Sequence, residues 1–279
     1  MTPHTTASEL LAACEREGPL NERPESERWV ASDADGTLWA ADVAECAWNL
    51  ALKERLFRPE AAAPLAAILR DAGGLPCEEP HQDAVAIWRL FLDGKVPDAP
   101  ILRAMAVCFA GLTVSDAQAF ADRVYREHLA PLVYAETVPL CREFAARGLP
   151  LVVVSGSPSF LVEAGLRGLG IEAVVRGVTL AVVEDRFSAE VVPPLTWNQG
   201  KVEAIAPLVG PSGPLIALGD SPGDRELLLT SRFKVLVHPR AALQAVAAEH
   251  HSAGGWLLFR PERTASGERV QAPVQDAWG

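Results

Sequence analysis

The chain has 279 residues, 49% hydrophobic and 22% charged, with a formal net charge of −11. That is globular composition, and the length suits one large domain or a core with a substantial insertion. The acidic balance, without any Lys/Arg run, argues against a nucleic-acid partner. No apolar run approaches the ~20 residues that span a bilayer. The N-terminus lacks the basic and long apolar regions of a signal peptide. Cys14, Cys46, Cys77, Cys108 and Cys141 are widely spaced, with no Cys-x-x-Cys pair. They read as reduced thiols of a cytoplasmic protein rather than as a metal site.

In chain order, residues 8–17 read as a short helix, followed by a polar stretch from Asn21 to Arg28 and a short strand over 29–32 that runs into Asp33. From about Asp42 to Ala146 the pattern is helical. Val43, Ala47, Leu50 and Ala51 keep helical spacing, and further segments start near Ala61, Asp83, Ala99, Ser115 and Glu136. Gly73-Gly74, Gly94 and Gly111 punctuate them. The period then changes. Leu151-Val-Val-Val154 is a continuous, largely β-branched run, as expected of a strand buried on both faces of a parallel sheet. A helix over 159–168, a strand over 173–175, a hairpin-like stretch over 178–192, a helix from about Lys201, a strand over 215–218, a helix from Pro222 and a strand over 233–237 follow. Strands alternating with helices predict an α/β fold, a doubly wound parallel sheet of Rossmann-like type. The helical block between the first two core strands reads as an inserted all-helical cap. The domains are then 1–38 with 147–279 for the core and 39–146 for the cap. The tail after Arg260 is polar and expected to be loosely held. His250 and His251 have no predicted partner.

In such a sheet, ligands bind beyond the carboxyl ends of the strands. Three predicted strands end there in polar residues: Asp33-Ala-Asp35-Gly36-Thr37, Ser155-Gly156-Ser157, and Gly219-Asp220-Ser-Pro-Gly-Asp224; Lys201 opens an intervening helix. Each piece has an ordinary reading alone. Asp-x-Asp-Gly could open a calcium loop, but Thr37 and Ala44 stand where that loop needs ligands. Ser221-Pro-Gly-Asp224 has the form of a helix-capping box. Four carboxylates, a hydroxyl and an ammonium, each beside a strand end, are the informative combination.

In order, DADGT, VVVSG, GK and GDSPGD resemble the four motifs of the haloacid dehalogenase superfamily of phosphatases, over about Trp29 to Val237. The position of the cap resembles the phosphoserine-phosphatase-like branch. The resemblance implies a Mg2+-dependent phosphomonoesterase. Asp33 is the expected nucleophile and Asp35 the general acid and base. Asp33, the Asp35 carbonyl and Asp220 are expected to hold the metal, with Asp224 as ligand or support. Ser155, Lys201 and the backbone at Gly36 and Gly156 are expected to hold phosphoryl oxygens. True dehalogenases lack the second aspartate, so Asp35 favours phosphate chemistry. A phosphotransferase or mutase, or a weakly active binding module, would share the motifs.

In the cap, Asp42 stands where the branch grips a substrate ammonium, although Asp42-x-x-Glu45 is also a capping pattern. Met105 occupies the position of the branch's carboxylate-binding arginine, and Arg103, two positions earlier, is rotated away on a helix; Arg89 is another cap arginine. Residues Asp35 to Glu45 also resemble the phosphorylcholine-phosphatase group, with Trp39 as a candidate aromatic contact for an alkylammonium. Trp48 and Trp88 read as packing residues. The expected partner is therefore a small phosphorylated metabolite, an amino-alcohol or amino-acid phosphate.

Overall fold

The computed structural model describes residues 1–21, 24, 27–77 and 79–262. Eight strands form one sheet: β1 (Pro3–His4), β2 (Val30–Ser32), β3 (Leu151–Pro158), β4 (Val174–Val183), β5 (Arg186–Val192), β6 (Ile216–Gly219), β7 (Phe233–Val237) and β8 (Trp256–Phe259). Their order is β1-β8-β7-β6-β2-β3-β4-β5. All neighbours are parallel except β4 and β5. β2 lies at the centre, with Val30 in register with Leu151 on one side and Ile216 on the other.

Side-chain alternation explains why the central strands read as continuous apolar runs. Val30, Val153, Ile216 and Leu218 face one hydrophobic cluster, while Ala31, Val152, Val154 and Ala217 face a second. The second is closed by α9 (Gln199–Val209), α10 (Arg225–Leu229) and α11 (Ala241–Glu249), through Ile205, Leu227 and Leu243. The first is closed by α1 (Ala7–Glu17), α7 (Thr137–Ala146) and α8 (Ser159–Leu169), through Leu11, Phe144 and Val162. It continues without a break into the helices between β2 and β3: α2 (Val43–Glu54), α3 (Ala62–Asp71), α4 (Pro80–Leu92), α5 (Asp98–Val107) and α6 (Val114–Val124). Burying each such Leu, Val or Phe contributes roughly 1.5–3 kcal/mol.

Local chemistry sets several boundaries. α4 starts earlier than the apolar spacing predicts because the Glu79 carboxylate accepts from the His81 and Gln82 amides, with Pro80 at the first helical position. The predicted helix at Pro222 is a 3-10 turn, Pro222–Asp224, before α10 begins. The hairpin is longer than expected. β4 runs unbroken from the core into it, and Glu184 and Asp185, both left-handed, form its two-residue turn. β1 and β8 went unpredicted; they are a two-residue and a four-residue strand at the sheet edge. A π turn, Tyr125–Leu129, follows α6. Burial pushes the Cys14, Cys46 and Cys141 thiols up to about 12, in keeping with inert thiols. Among the described residues no helix is long and apolar enough to cross a membrane. The expectation for the tail falls, from residue 263 on, outside the described residues.

Candidate active site

The parallel strands deliver the motif residues to one edge. The Asp33 amide donates to the Leu218 carbonyl (2.9 Å), which ties the end of β2 to β6. Lys201, 2% exposed in the first turn of α9, donates to Asp33 Oδ1 and Asp224 Oδ1, both at 2.6 Å. Thr37 Oγ1 donates to Asp33 Oδ2 (3.3 Å). Asp224 Oδ2 accepts from the Asp220 amide (3.1 Å), the Ser221 amide (3.0 Å) and Ser221 Oγ (3.2 Å). The capping pattern and the site are therefore one feature. Asp224 folds the turn and presents its other oxygen to Lys201. Gly36 has φ +82°, and a Cβ there would lie 2.4 Å from Asp220 Oδ2, so the loop admits only glycine.

These carboxylates crowd one another. Asp33, Asp220 and Asp224 each turn an oxygen to within 4.8 Å of the others, and all three are buried. Burial first, then Asp224, push the Asp33 carboxyl well above its usual range, against the pull of Lys201. Burial and Asp224 raise Asp220 to about 6, with Arg240 opposing. Burial works to lower the Lys201 ammonium, but Asp224 and Asp33 outweigh it and hold its pKa raised. Asp220 Oδ1 is buried without a hydrogen-bond partner. An all-oxygen cluster with surplus negative charge and one open carboxylate oxygen fits a hard divalent cation such as Mg2+. Asp220 carries the open oxygen, while Asp33 and Asp224 each already accept hydrogen bonds on both oxygens.

Asp35 lines the same cleft, as do Ser155 and Gly156. Its Oδ2 accepts from Ser155 Oγ (3.1 Å) and Ser157 Oγ (2.6 Å). The Ser155 hydroxyl therefore serves Asp35 here, while the Ser157 amide donates to it (3.0 Å). Asp35 Oδ1 accepts from Trp39 Nε1 (2.7 Å) and the Val43 amide (2.8 Å). This corrects the expected place of Trp39. Its indole is fully buried behind Asp35 and contributes no surface to the cleft. Trp48 and Trp88 are also buried, packed 6.2 Å apart between α2 and α4.

From the helices between β2 and β3, Asp42, Glu45 and Met105 line the cleft. Asp42 also caps α2, accepting from the Glu45 amide at 2.9 Å. Arg103 and Arg89 are exposed and do not line the cleft. Sequence reasoning missed Asp98, Phe91, Trp197, Ser157 and Arg240, all of which line it. Only Ser157 had a signal, its place beside Ser155 at a strand end. Trp197 explains Gly223: a Cβ there would lie 2.4 Å from the indole, so the ring takes the space a side chain would fill. Arg240 follows β7 at the same carboxyl edge. Its amide donates to the Asp220 carbonyl (2.9 Å) and its Nε to Asp220 Oδ2 (3.1 Å), a two-point hold that leaves Oδ1 open.

The chain is similar to several known proteins. A Mycobacterium tuberculosis protein described as a probable phosphatase is 30% identical over 170 residues, 59% of this chain and 57% of that protein. The match thus spans little more than half the length of that relative. A Bordetella pertussis protein of unknown function superposes with a TM-score of 0.61 at 18% identity, covering 84% of this chain and 98% of that one. A substrate-bound phosphoserine phosphatase superposes with a TM-score of 0.51 at 16% identity, over 85% of this chain and 94% of that one. At those identities the two solved structures speak for the fold. Residues 30–229, most of the chain and a span that includes all four motifs, match the haloacid dehalogenase-like hydrolase family. The chain belongs to the haloacid dehalogenase-like hydrolases.

Proposed function

We propose that the protein is a Mg2+-dependent phosphatase that hydrolyses a small phosphomonoester through a phosphoryl group on Asp33. The observation that carries this is the constellation at Asp33: one oxygen on Lys201, the other on Thr37, with Asp35 two residues on in the same cleft. The description of the mycobacterial relative points the same way. A phosphate dianion repels an anionic nucleophile, so the site needs cations. Lys201 supplies one, and Mg2+ held by Asp33, Asp220 and the Asp35 carbonyl would neutralise further charge on the phosphoryl oxygens. A carboxylate oxygen of Asp33 attacks phosphorus as the bond to the leaving oxygen breaks. Asp35 gives that oxygen a proton, then takes one from the water that attacks phospho-Asp33, releasing inorganic phosphate. Lys201 and the backbone at Gly156 hold the phosphoryl oxygens through both steps; the Gly36 amide, expected to join them, donates instead to the Trp39 carbonyl.

The leaving group is read from the cap. Asp42, Glu45 and Asp98 face the cleft beside Phe91 and Trp197, whereas Met105 brings no charge. Carboxylates with aromatic faces suit an ammonium or alkylammonium. The substrate class is therefore a small amino-alcohol or amino-acid phosphate, with phosphoethanolamine and phosphocholine ahead of phosphoserine. Phosphate release from matched alkyl, amino-alcohol and sugar phosphates, with and without EDTA and added Mg2+, tests the reading. Activity that survives chelation rejects the metal, and a preference for sugar phosphates rejects the amino-alcohol assignment.

A further inference from the structure

Asp35 is held by four donors, two on each oxygen, from opposite sides. Ser155 and Ser157, on Oδ2, line the cleft; Trp39 and Val43, on Oδ1, do not. Oδ2 is therefore the oxygen turned toward the cleft, and Oδ1 is the anchor. Trp39 is itself immobilised. Its ring lies against Gly165, where a Cβ would come within 3.0 Å of the indole. Its carbonyl accepts from the Gly36 amide (2.8 Å), and bridges to Asp35 and Val133 fix its backbone. The indole has one N–H, spent on Asp35, and its ring is fully buried. We propose that Trp39 is a positioning residue for catalysis: its buried indole N–H fixes the Asp35 carboxyl so that Oδ2 meets the leaving oxygen of the ester.

The inference rests on the phosphatase reading above, and the chemistry supplies a selective test. An alkoxide leaving group, such as that of phosphoethanolamine, needs the proton that Asp35 Oδ2 delivers as the P–O bond breaks. A nitrophenolate leaves readily without one. In the first step, which kcat/KM reports, a misplaced Asp35 therefore penalises the alkyl ester and spares the aryl ester, whereas general damage to the site lowers both alike; the second step is common to both esters.

Trp39→Phe keeps an aromatic ring and removes the donor. Its kcat/KM on phosphoethanolamine is expected to fall about ten- to a hundredfold, the range of one charge-assisted hydrogen bond. Its kcat/KM on p-nitrophenyl phosphate should barely change. Replacing Trp39 by benzothienylalanine exchanges the N–H for sulfur in a side chain of the same shape, so it answers the same question if the phenylalanine variant folds poorly. The same split is expected. In a double-mutant cycle with Asp35→Asn, removing the indole should cost nothing more, because the effect passes through Asp35. Equal losses on both esters, no loss on either, or additivity with Asp35→Asn would overturn the assignment. An unmutated enzyme that releases phosphate from neither ester would overturn the phosphatase reading itself, and the role of Trp39 with it.

Discussion

Lys201→Met is the perturbation whose cost follows most directly from the geometry. The ammonium is 2% exposed and spans two carboxylates at 2.6 Å, Asp33 and the fully buried Asp224. Methionine fills most of the volume but leaves Asp33, Asp220 and Asp224 together with no buried cation among them. Breaking a buried ion pair from one side costs about 3–5 kcal/mol, because the partner charge stays behind. For a chain of this size that corresponds to about 5–9 °C in Tm. The loss should shrink between pH 7 and pH 5, since Asp33 and Asp220, already raised, take up protons the unfolded chain does not hold. Urea unfolding of the chelated wild type and variant at both pH values measures this. A destabilisation under about 1 kcal/mol at pH 7, the value for an exposed pair, would refute the view that Lys201 neutralises a buried carboxylate cluster. So would a cost that grows on acidification.

Two further outcomes follow from the site. Asp220 stands at about 6, above its unfolded value, so its carboxyl contributes stability that is full below the unfolded pKa and lost as pH rises through 6. The chelated protein should thus melt higher at pH 5 than at pH 7, Mg2+ should narrow the gap, and Asp220→Asn should flatten it in thermal scans; a lower Tm at pH 5 contradicts this. In the cap, Asp42→Ala or Asp98→Asn should reduce kcat/KM for phosphoethanolamine about tenfold while sparing p-nitrophenyl phosphate, and Met105→Arg should shift preference toward phosphoserine through a charge-assisted carboxylate contact. Unchanged ratios in steady-state kinetics would detach these residues from the leaving group.

The core of this site was legible because its residues follow buried strands directly. Continuous apolar runs such as Leu151–Val154 mark where a strand ends, and the polar residues after them must lie at the carboxyl edge of the sheet. What the sequence concealed came from two sources. β1 and β8 are too short to show a period, and β8 becomes a strand only because β7 and β1 flank it in register. Asp98, Trp197 and Arg240 reach the cleft from elements far apart in the chain, and nothing local distinguishes Asp98 from any acidic residue in a first helical turn. Trp39 shows a different limit. Its spacing from Asp35 places it near the site, but only the packing against Gly165 shows that the ring turns behind the carboxylate.

The central claim is that phosphate passes through the Asp33 carboxylate. The direct measurement is rapid acid quenching of the enzyme during turnover with Mg2+ and substrate, followed by peptide mapping by mass spectrometry. A phosphoryl group on the peptide carrying Asp33, absent from Asp33→Asn, which folds but releases no phosphate, is the predicted result. Phosphoryl adducts on another side chain, or an Asp33→Asn variant that retains about a tenth of the wild-type rate, equivalent to only about 1.4 kcal/mol, would contradict it.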